Sequence, residues 1–174
     1  PDSALVTTTE GVVDAAEEAG VPLVVGYRMH TEPAIRRARE LIRDGAIGSP
    51  VVALGNNTQS LVDINDDSEQ WRLNPDLVGS GVSVTDIGVY PLNTARFLID
   101  ADPLAVQGSL ANPDPEFPDG IDEHASFLLE FPGDVQAACR SSYAAAFENH
   151  LTVVGTDGLV RIENAYADLE PRTV

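Results

Sequence analysis

The sequence of 174 residues contains no lysine and only one cysteine, Cys139. Its ten basic residues stand against 28 aspartates and glutamates, which gives a formal charge of −18. Because so acidic a chain repels phosphate groups, neither nucleic acid nor an anionic membrane surface is an expected partner. A lone cysteine cannot form an internal disulfide, and no apolar run approaches the roughly 20 residues that cross a bilayer. We therefore expect a cytoplasmic protein without a membrane span.

The ten basic residues are all arginine, in a chain where lysine would ordinarily be common. At about 1 M salt the Debye length falls to roughly 3 Å, and the repulsion between the acidic residues is screened. The composition therefore favours the cytosolic protein of a halophile that accumulates salt. The alternative is an ordinary acidic protein that lacks lysine by chance.

The N-terminal part of the chain has the pattern of one parallel α/β unit. The spacing predicts a helix from Thr7 to Ala19, ended by Gly20, and then a strand at Pro22–Gly26 that is buried on both faces. Since a parallel sheet needs further strands, we assign residues 1–27 to the last helix–strand unit of a Rossmann-type nucleotide-binding domain. The rest of that domain is expected upstream of Pro1.

Residues 28–174 have the pattern of an α+β domain. Helices are predicted at 33–44 and 84–99. Strands are predicted at 51–58, 105–111, 124–131, 135–143, 151–154 and 159–163. Consecutive strands joined by short turns pair in antiparallel fashion. The predicted fold is therefore α/β (α+β), with a large, mostly antiparallel open sheet and helices on one of its faces.

The pair Asp86 and Tyr90 is the strongest candidate for a site of chemistry. At a spacing of four on a helix, the two side chains lie on the same face one turn apart. A carboxylate beside a phenol can bind a hydroxyl group and exchange a proton with it. The alternative is an exposed aspartate near a helix start and a half-buried tyrosine. Pro91 cannot donate to the carbonyl of Ile87, so the helix is expected to bend or restart there.

Two further segments are weaker candidates. Arg28 follows the predicted strand at the edge where α/β folds bind ligands, although a surface polar residue would look the same. Trp71 and Arg72 stand in a polar loop, where the tryptophan can instead pin the loop to the sheet. The three histidines and the cysteine have no metal-ligand spacing, and no GxGxxG motif occurs anywhere in the chain.

Taken together, four motifs in order resemble the glucose–fructose oxidoreductase/inositol dehydrogenase (Gfo/Idh/MocA) family, and among its members the sugar (xylose-type) dehydrogenases. The motifs are Gly26-Tyr-Arg-Met-His-Thr-Glu-Pro33 with the following helix and turn to Gly48, Gln70-Trp71-Arg72, Gly79-Ser-Gly-Val-Ser-Val-Thr-Asp86-Ile-Gly-Val-Tyr90-Pro-Leu-Asn93, and Leu151-Thr-Val-Val-Gly-Thr-Asp-Gly158. The resemblance implies that Asp86 holds the reacting sugar hydroxyl and that Tyr90 exchanges its proton. It places Arg28 near both nicotinamide and substrate, and makes Trp71, Arg72 and Asn93 substrate-binding residues.

The resemblance also implies partners. NAD or NADP would be the cofactor, held mainly by a nucleotide-binding half that this sequence lacks. The family's catalytic lysine would be missing from it as well. A sugar or polyol would be the substrate, and the free face of the sheet would form a homo-oligomer. The expected function is the substrate and oligomerisation domain of an NAD(P)-dependent sugar oxidoreductase, with this chain inactive by itself. A non-catalytic sugar-binding or assembly module, and an enzyme that dehydrates or hydrolyses a sugar with NAD, are the alternatives.

Overall fold

The computed structural model describes residues 9–61, 70–78, 81–115 and 117–167. The helices are α1 (Thr9–Ala19), α2 (Pro33–Arg43), α3 (Pro75–Val78) and α4 (Val89–Ile99). The strands are β1 (Pro50–Ser60), β2 (Ala105–Ala111), β3 (His124–Glu130), β4 (Gln136–Ser142), β5 (Ala144–Gly155) and β6 (Leu159–Glu163). Within these residues, no helix is both long and apolar enough to cross a membrane.

The six strands form one open sheet in the order β2-β3-β4-β1-β5-β6. Only the central pair β1 and β4 is parallel, and every other neighbouring pair is antiparallel. The predicted mostly antiparallel sheet is therefore confirmed. Strand β5 begins seven residues earlier than predicted because it pairs with β1 from Pro50 to Ser60, which is the whole length of β1.

Helices α2 and α4 cover one face of this sheet. A row of apolar side chains that crosses five strands on the covered face is buried: Leu129, Ala137, Ala53, Val153 and Val160. The next row points to the other face, where Leu54 is 43% exposed and Leu128 is 51% exposed. Among the described residues this second face carries no helix, and we call it the open face. The prediction of helices on one face is thus confirmed.

The predicted strand at Pro22–Gly26 is wrong. Residues 21–27 belong to no strand, and the side chains of Val24 and Val25 are 81% and 89% exposed. A strand buried on both faces needs hydrogen-bonded neighbours, and none of the six described strands pairs with this segment. Helix α1 does form and is followed by Gly20 at a φ of 64°, as predicted. The expected helix start at Thr7 lies outside the described residues.

The single helix predicted from Val84 to Ile99 is instead two segments. Residues Ser83–Gly88 form a π-helix, and the α-helix α4 starts at Val89. Pro91 therefore lies in the first turn of α4, where its missing N–H interrupts no established helix. The predicted restart beside this proline is confirmed. A π-helical segment often marks a functional site, and this one carries Asp86.

Candidate active site

Asp86 and Tyr90 line the same cavity, which has a volume of about 380 Å³. The cavity lies where the π-helical segment and α4 meet the ends of β1, β4 and β5, and we call it the active-site cavity. A larger cavity of about 620 Å³ lies on the open face, but it is lined by no carboxylate. A carboxylate and a phenol that share a wall provide the groups that acid–base chemistry on a hydroxyl requires.

The carboxylate of Asp86 is held by two donors on the same oxygen. The Nε of Arg72 donates to Oδ2 at 2.6 Å, and the hydroxyl of Tyr143 donates to the same atom. Burial raises the pKa of Tyr143, and its hydrogen bond to Asp86 raises it further. Burial alone would lower the pKa of Arg72, but the hydrogen bonds to Asp86 and Tyr143 outweigh it and raise that pKa. Asp86 is therefore fixed as a hydrogen-bond acceptor at the cavity wall.

Tyr90 presents a hydroxyl that no described residue engages. The centroid of its ring lies 5.8 Å from the ring centroid of Tyr27 and 5.9 Å from that of Tyr166. The hydroxyl of Tyr27 donates to the backbone oxygen of Tyr90 at 2.8 Å and lies 2.9 Å from Thr94 Oγ1. The aromatic neighbours thus fix the position of the Tyr90 ring, and the phenol group is left for a ligand.

The structure also brings Arg28 and Arg72 to this cavity. The guanidinium of Arg28 donates to the backbone oxygen of Tyr166 at 2.6 Å and pairs with Glu32 at 3.6 Å. Its Cζ lies 5.6 Å from the centroid of the Tyr90 ring, in the geometry of a cation–π contact. Two cations and one carboxylate therefore share the wall of a cavity in a strongly acidic chain.

Trp71 and Asn93 lie outside the active-site cavity. Trp71 is 48% exposed, and the Cζ of Arg72 stacks over its ring at 4.3 Å, so it contacts the cavity only through Arg72. Asn93 lines a separate cavity of about 260 Å³ between α2 and α4. The Oδ1 of Asn93 accepts a hydrogen bond from Arg96 at 3.0 Å, which holds the side chain there. Asn93 therefore does not lie beside Asp86 and Tyr90.

Two buried polar residues anchor the π-helical segment. The carboxylate of Asp122, which is 4% exposed, accepts the backbone N–H groups of Val82 and Val84, the latter at 2.8 Å. The Nδ2 of Asn57 donates to the carbonyl of Ile87 at 3.0 Å. The sequence interpretation missed both residues, and it missed Tyr143. The available signal for Asn57 was the polar run Asn56-Asn-Thr-Gln-Ser60, which follows an apolar half in the same strand.

The family model for the GFO/IDH/MocA C-terminal domain matches residues 35–161. The chain therefore belongs to the GFO/IDH/MocA family. It is 46% identical over all 174 residues to a D-xylose 1-dehydrogenase (NADP⁺) of the halophilic archaeon Haloarcula marismortui. A D-xylose 1-dehydrogenase (NADP⁺) 2 of Haloferax volcanii is 29% identical over 166 residues, or 95% of the chain. The chain covers 48% of the length of each of these relatives, so it spans about half of them.

Solved structures share this fold. The aldose–aldose oxidoreductase of Caulobacter crescentus, complexed with glycerol, matches with a TM-score of 0.82 and 33% identity. That match covers 94% of this chain and 47% of the other chain. An inositol dehydrogenase homologue from Azotobacter vinelandii, complexed with NAD⁺, matches with a TM-score of 0.76, 18% identity and coverage of 94% and 46%. The latter similarity concerns the fold alone.

Proposed function

We propose that this chain is the substrate-binding and oligomerisation domain of an NAD(P)-dependent sugar oxidoreductase, which transfers hydride between a sugar carbon and nicotinamide. The observation that carries the proposal is that the Asp86 carboxylate and the unengaged Tyr90 phenol line one cavity. The similarity to D-xylose 1-dehydrogenases and to an aldose–aldose oxidoreductase supports a sugar as the substrate.

In this proposal the two residues divide the work on the reacting hydroxyl. Asp86 accepts a hydrogen bond from that hydroxyl and so orients it. For oxidation, the hydroxyl turns its proton from Asp86 to the deprotonated phenol of Tyr90, which takes it. In the reverse direction the protonated Tyr90 returns it. A positioned general acid–base group of this kind contributes about 10²–10⁴-fold to the rate. The nicotinamide, when bound, supplies the hydride chemistry, and the protein supplies orientation and electrostatics.

The composition of the cavity wall suits a sugar or polyol. The side-chain amides of Gln59 and Asn149 line it together with the ring of Phe147, which is 57% exposed. Amides can donate to and accept from hydroxyl groups, and aromatic rings can cover the apolar face of a pyranose or furanose. A ligand with many hydroxyls therefore finds both kinds of contact here.

We further propose that NAD or NADP is held mainly by residues that do not belong to this chain. The sequence contains no glycine-rich turn of the kind that binds a pyrophosphate at a helix N-terminus. Arg28, the cation over the Tyr90 ring, is the residue of this chain that would contact the cofactor. The Haloarcula relative is named for NADP⁺, and the structure from Azotobacter contains NAD⁺.

The open face of the sheet is the proposed site of homo-oligomerisation. Leu54, Ala138 and Leu128 are register partners on adjacent strands, so they form a continuous apolar row. The larger cavity of about 620 Å³ is lined by these same residues. A second copy that packs face to face would bury this row, as in two sheets of a sandwich.

An assay of the whole protein that contains this chain tests the proposal. Aldoses and polyols are each incubated with NAD⁺ and with NADP⁺, and reduced nicotinamide is followed by its absorbance. We expect oxidation of at least one aldose. Sugar binding by calorimetry without any turnover would instead support a non-catalytic module. Sugar consumption with neither net nicotinamide reduction nor an oxidised sugar product would support a dehydrating or hydrolysing enzyme.

A further inference from the structure

The active-site cavity contains a hydrogen-bonded group of three side chains, Arg72, Asp86 and Tyr143, which we call the Asp86 cluster. Both donors of the cluster bind the same carboxylate oxygen, Oδ2. No described residue donates to the other oxygen, Oδ1. The carboxylate is therefore occupied on one oxygen and available on the other.

We propose that Arg72 and Tyr143 are positioning residues, which hold Oδ2 of Asp86 so that Oδ1 alone receives the substrate hydroxyl. The inference rests on the proposed function, because the hydroxyl is that of the sugar. A carboxylate oxygen has two lone-pair sites, and two donors fill those of Oδ2. An unrestrained carboxylate rotates freely about its last torsion, since terminal sp³–sp² torsions are broad. With both donors present, the plane and the reactive oxygen of Asp86 are set before the substrate arrives.

The two donors come from separate parts of the fold, which makes the restraint rigid. Tyr143 lies between β4 and β5 and is 1% exposed, so its ring cannot swing away. Arg72 lies in the 3₁₀ turn Trp71–Leu73, and its guanidinium stacks on Trp71 at 4.3 Å. Trp71 thus acts on the site through Arg72, although it lies outside the cavity.

Three tyrosines line the cavity, and the hydroxyl of one of them, Tyr166, is buried without a hydrogen-bond partner among the described residues. The Asp86 cluster distinguishes the other two, Tyr143 and Tyr90. The Tyr143 hydroxyl is committed to Asp86, and burial raises its pKa, so it remains a proton donor at neutral pH. Tyr90 has no such commitment among the described residues. Of the two, Tyr90 is therefore the phenol that is free to exchange a proton with substrate, and Tyr143 fixes the acceptor.

The test is a double-mutant cycle in the whole enzyme, with an aldose and NADP⁺. Tyr143→Phe removes one hydroxyl and is expected to lower kcat/KM about 10- to 100-fold, because small displacements of a positioned group are costly. KM rises and kcat falls together, since Asp86 contacts the hydroxyl in both the ground state and the transition state. In an Asp86→Asn background the same substitution is expected to change kcat/KM by less than about threefold, because the group it acts through is altered.

Arg72→Gln gives a second, independent arm, because Arg72 is part-exposed and its loss is better tolerated by the fold. Arg72→Gln is expected to lower kcat/KM as Tyr143→Phe does. In the Asp86→Asn background it is expected to change kcat/KM by less than about threefold. The matched control is Arg96→Gln, which removes an arginine that pairs with Asp102 and touches neither Asp86 nor its cavity. This control is expected to leave kcat/KM within about twofold of wild type. Melting temperatures of all variants report on folding.

Three results would overturn the inference. If Tyr143→Phe and Arg72→Gln both keep the wild-type kcat/KM, the inference is wrong. The proposed function then still stands, because the enzyme is active. If the loss of kcat/KM in each variant adds fully to the loss in Asp86→Asn, Tyr143 and Arg72 act independently of the carboxylate. A wild-type enzyme that oxidises no aldose with either cofactor would contradict the proposed function, and the inference with it.

Discussion

The side-chain amide of Asn57 in β1 donates to the backbone carbonyl of Ile87 at 3.0 Å, across 30 residues of sequence. In an uninterrupted α-helix that carbonyl would accept the N–H of residue 91, but residue 91 is a proline. The N–H of Val89 also donates to this carbonyl. The central strand thus supplies the hydrogen bond that Pro91 cannot, directly beside Asp86.

Asn57→Leu is expected to lower the free energy of unfolding by about 1–2 kcal/mol, because a buried carbonyl loses a partner. In a Pro91→Ala background, where a backbone N–H is restored at position 91, the cost is expected to fall to less than half. Urea unfolding of the four variants measures this coupling. Arg37→Gln, which removes an exposed contact with Glu40, is the control and is expected to change stability little. Equal costs in both backgrounds would contradict the compensating role.

Gly55→Ala is expected to destabilise the domain by about 1–3 kcal/mol, the usual cost of overpacking. A Cβ at Gly55 would lie 2.7 Å from the Cβ of Pro91 and 3.1 Å from Leu151 Cδ1, so α4 would have to move away from the sheet. At Gly26 an added Cβ meets nothing within 4 Å, and Gly26→Ala is the matched control. Thermal or urea unfolding measures both variants. A neutral Gly55→Ala would show that α4 does not pack this closely on β1.

The melting temperature is expected to rise between about 0.1 M and 2 M KCl, because salt screens the repulsion among the acidic residues of a chain with a charge of −18. Calorimetry at a series of salt concentrations measures the effect. Arginine ion pairs such as Arg43 with Asp100 weaken with salt and oppose it, but exposed pairs of this kind contribute little. A flat or falling melting temperature would remove the argument for salt adaptation.

Leu128→Glu is expected to weaken self-association, because it places a charge on the apolar row of the open face. The control is Leu77→Glu, which changes a leucine that is 66% exposed on α3, away from that face. Analytical ultracentrifugation at high salt compares both with wild type. A wild-type protein that stays monomeric at high concentration, or equal effects of the two substitutions, would contradict the proposed interface.

The sequence predicted the parts of the site that depend on local spacing. Asp86 and Tyr90 are one helical turn apart, and they do line the same cavity although the first of them lies in a π-helix. Asn57 reaches the site from β1 and Tyr143 from the bend between β4 and β5, and both are distant from Asp86 in sequence. The alternation of a strand shows that neighbouring residues face opposite sides, but it does not show which side a helix will cover.

The error at Pro22–Gly26 has a related cause. An apolar run of five residues has the composition of a buried strand, yet a strand exists only when neighbouring strands accept its hydrogen bonds. Val24 and Val25 have no such neighbours among the described residues and are exposed. Composition predicts what a segment can bury, whereas pairing depends on the rest of the sheet.

The most direct test of the account is kcat for Tyr90→Phe in the whole enzyme, with a deuterated aldose to establish that hydride transfer limits the rate. The account predicts a fall in kcat of about 10²–10⁴-fold, or roughly 3–5 kcal/mol of transition-state stabilisation, because the substitution removes the acid–base group. Sugar binding should stay nearly unchanged, since the ring and its aromatic contacts remain. A variant that retains more than about a third of wild-type kcat, with hydride transfer shown to limit the rate, would contradict the assignment of Tyr90.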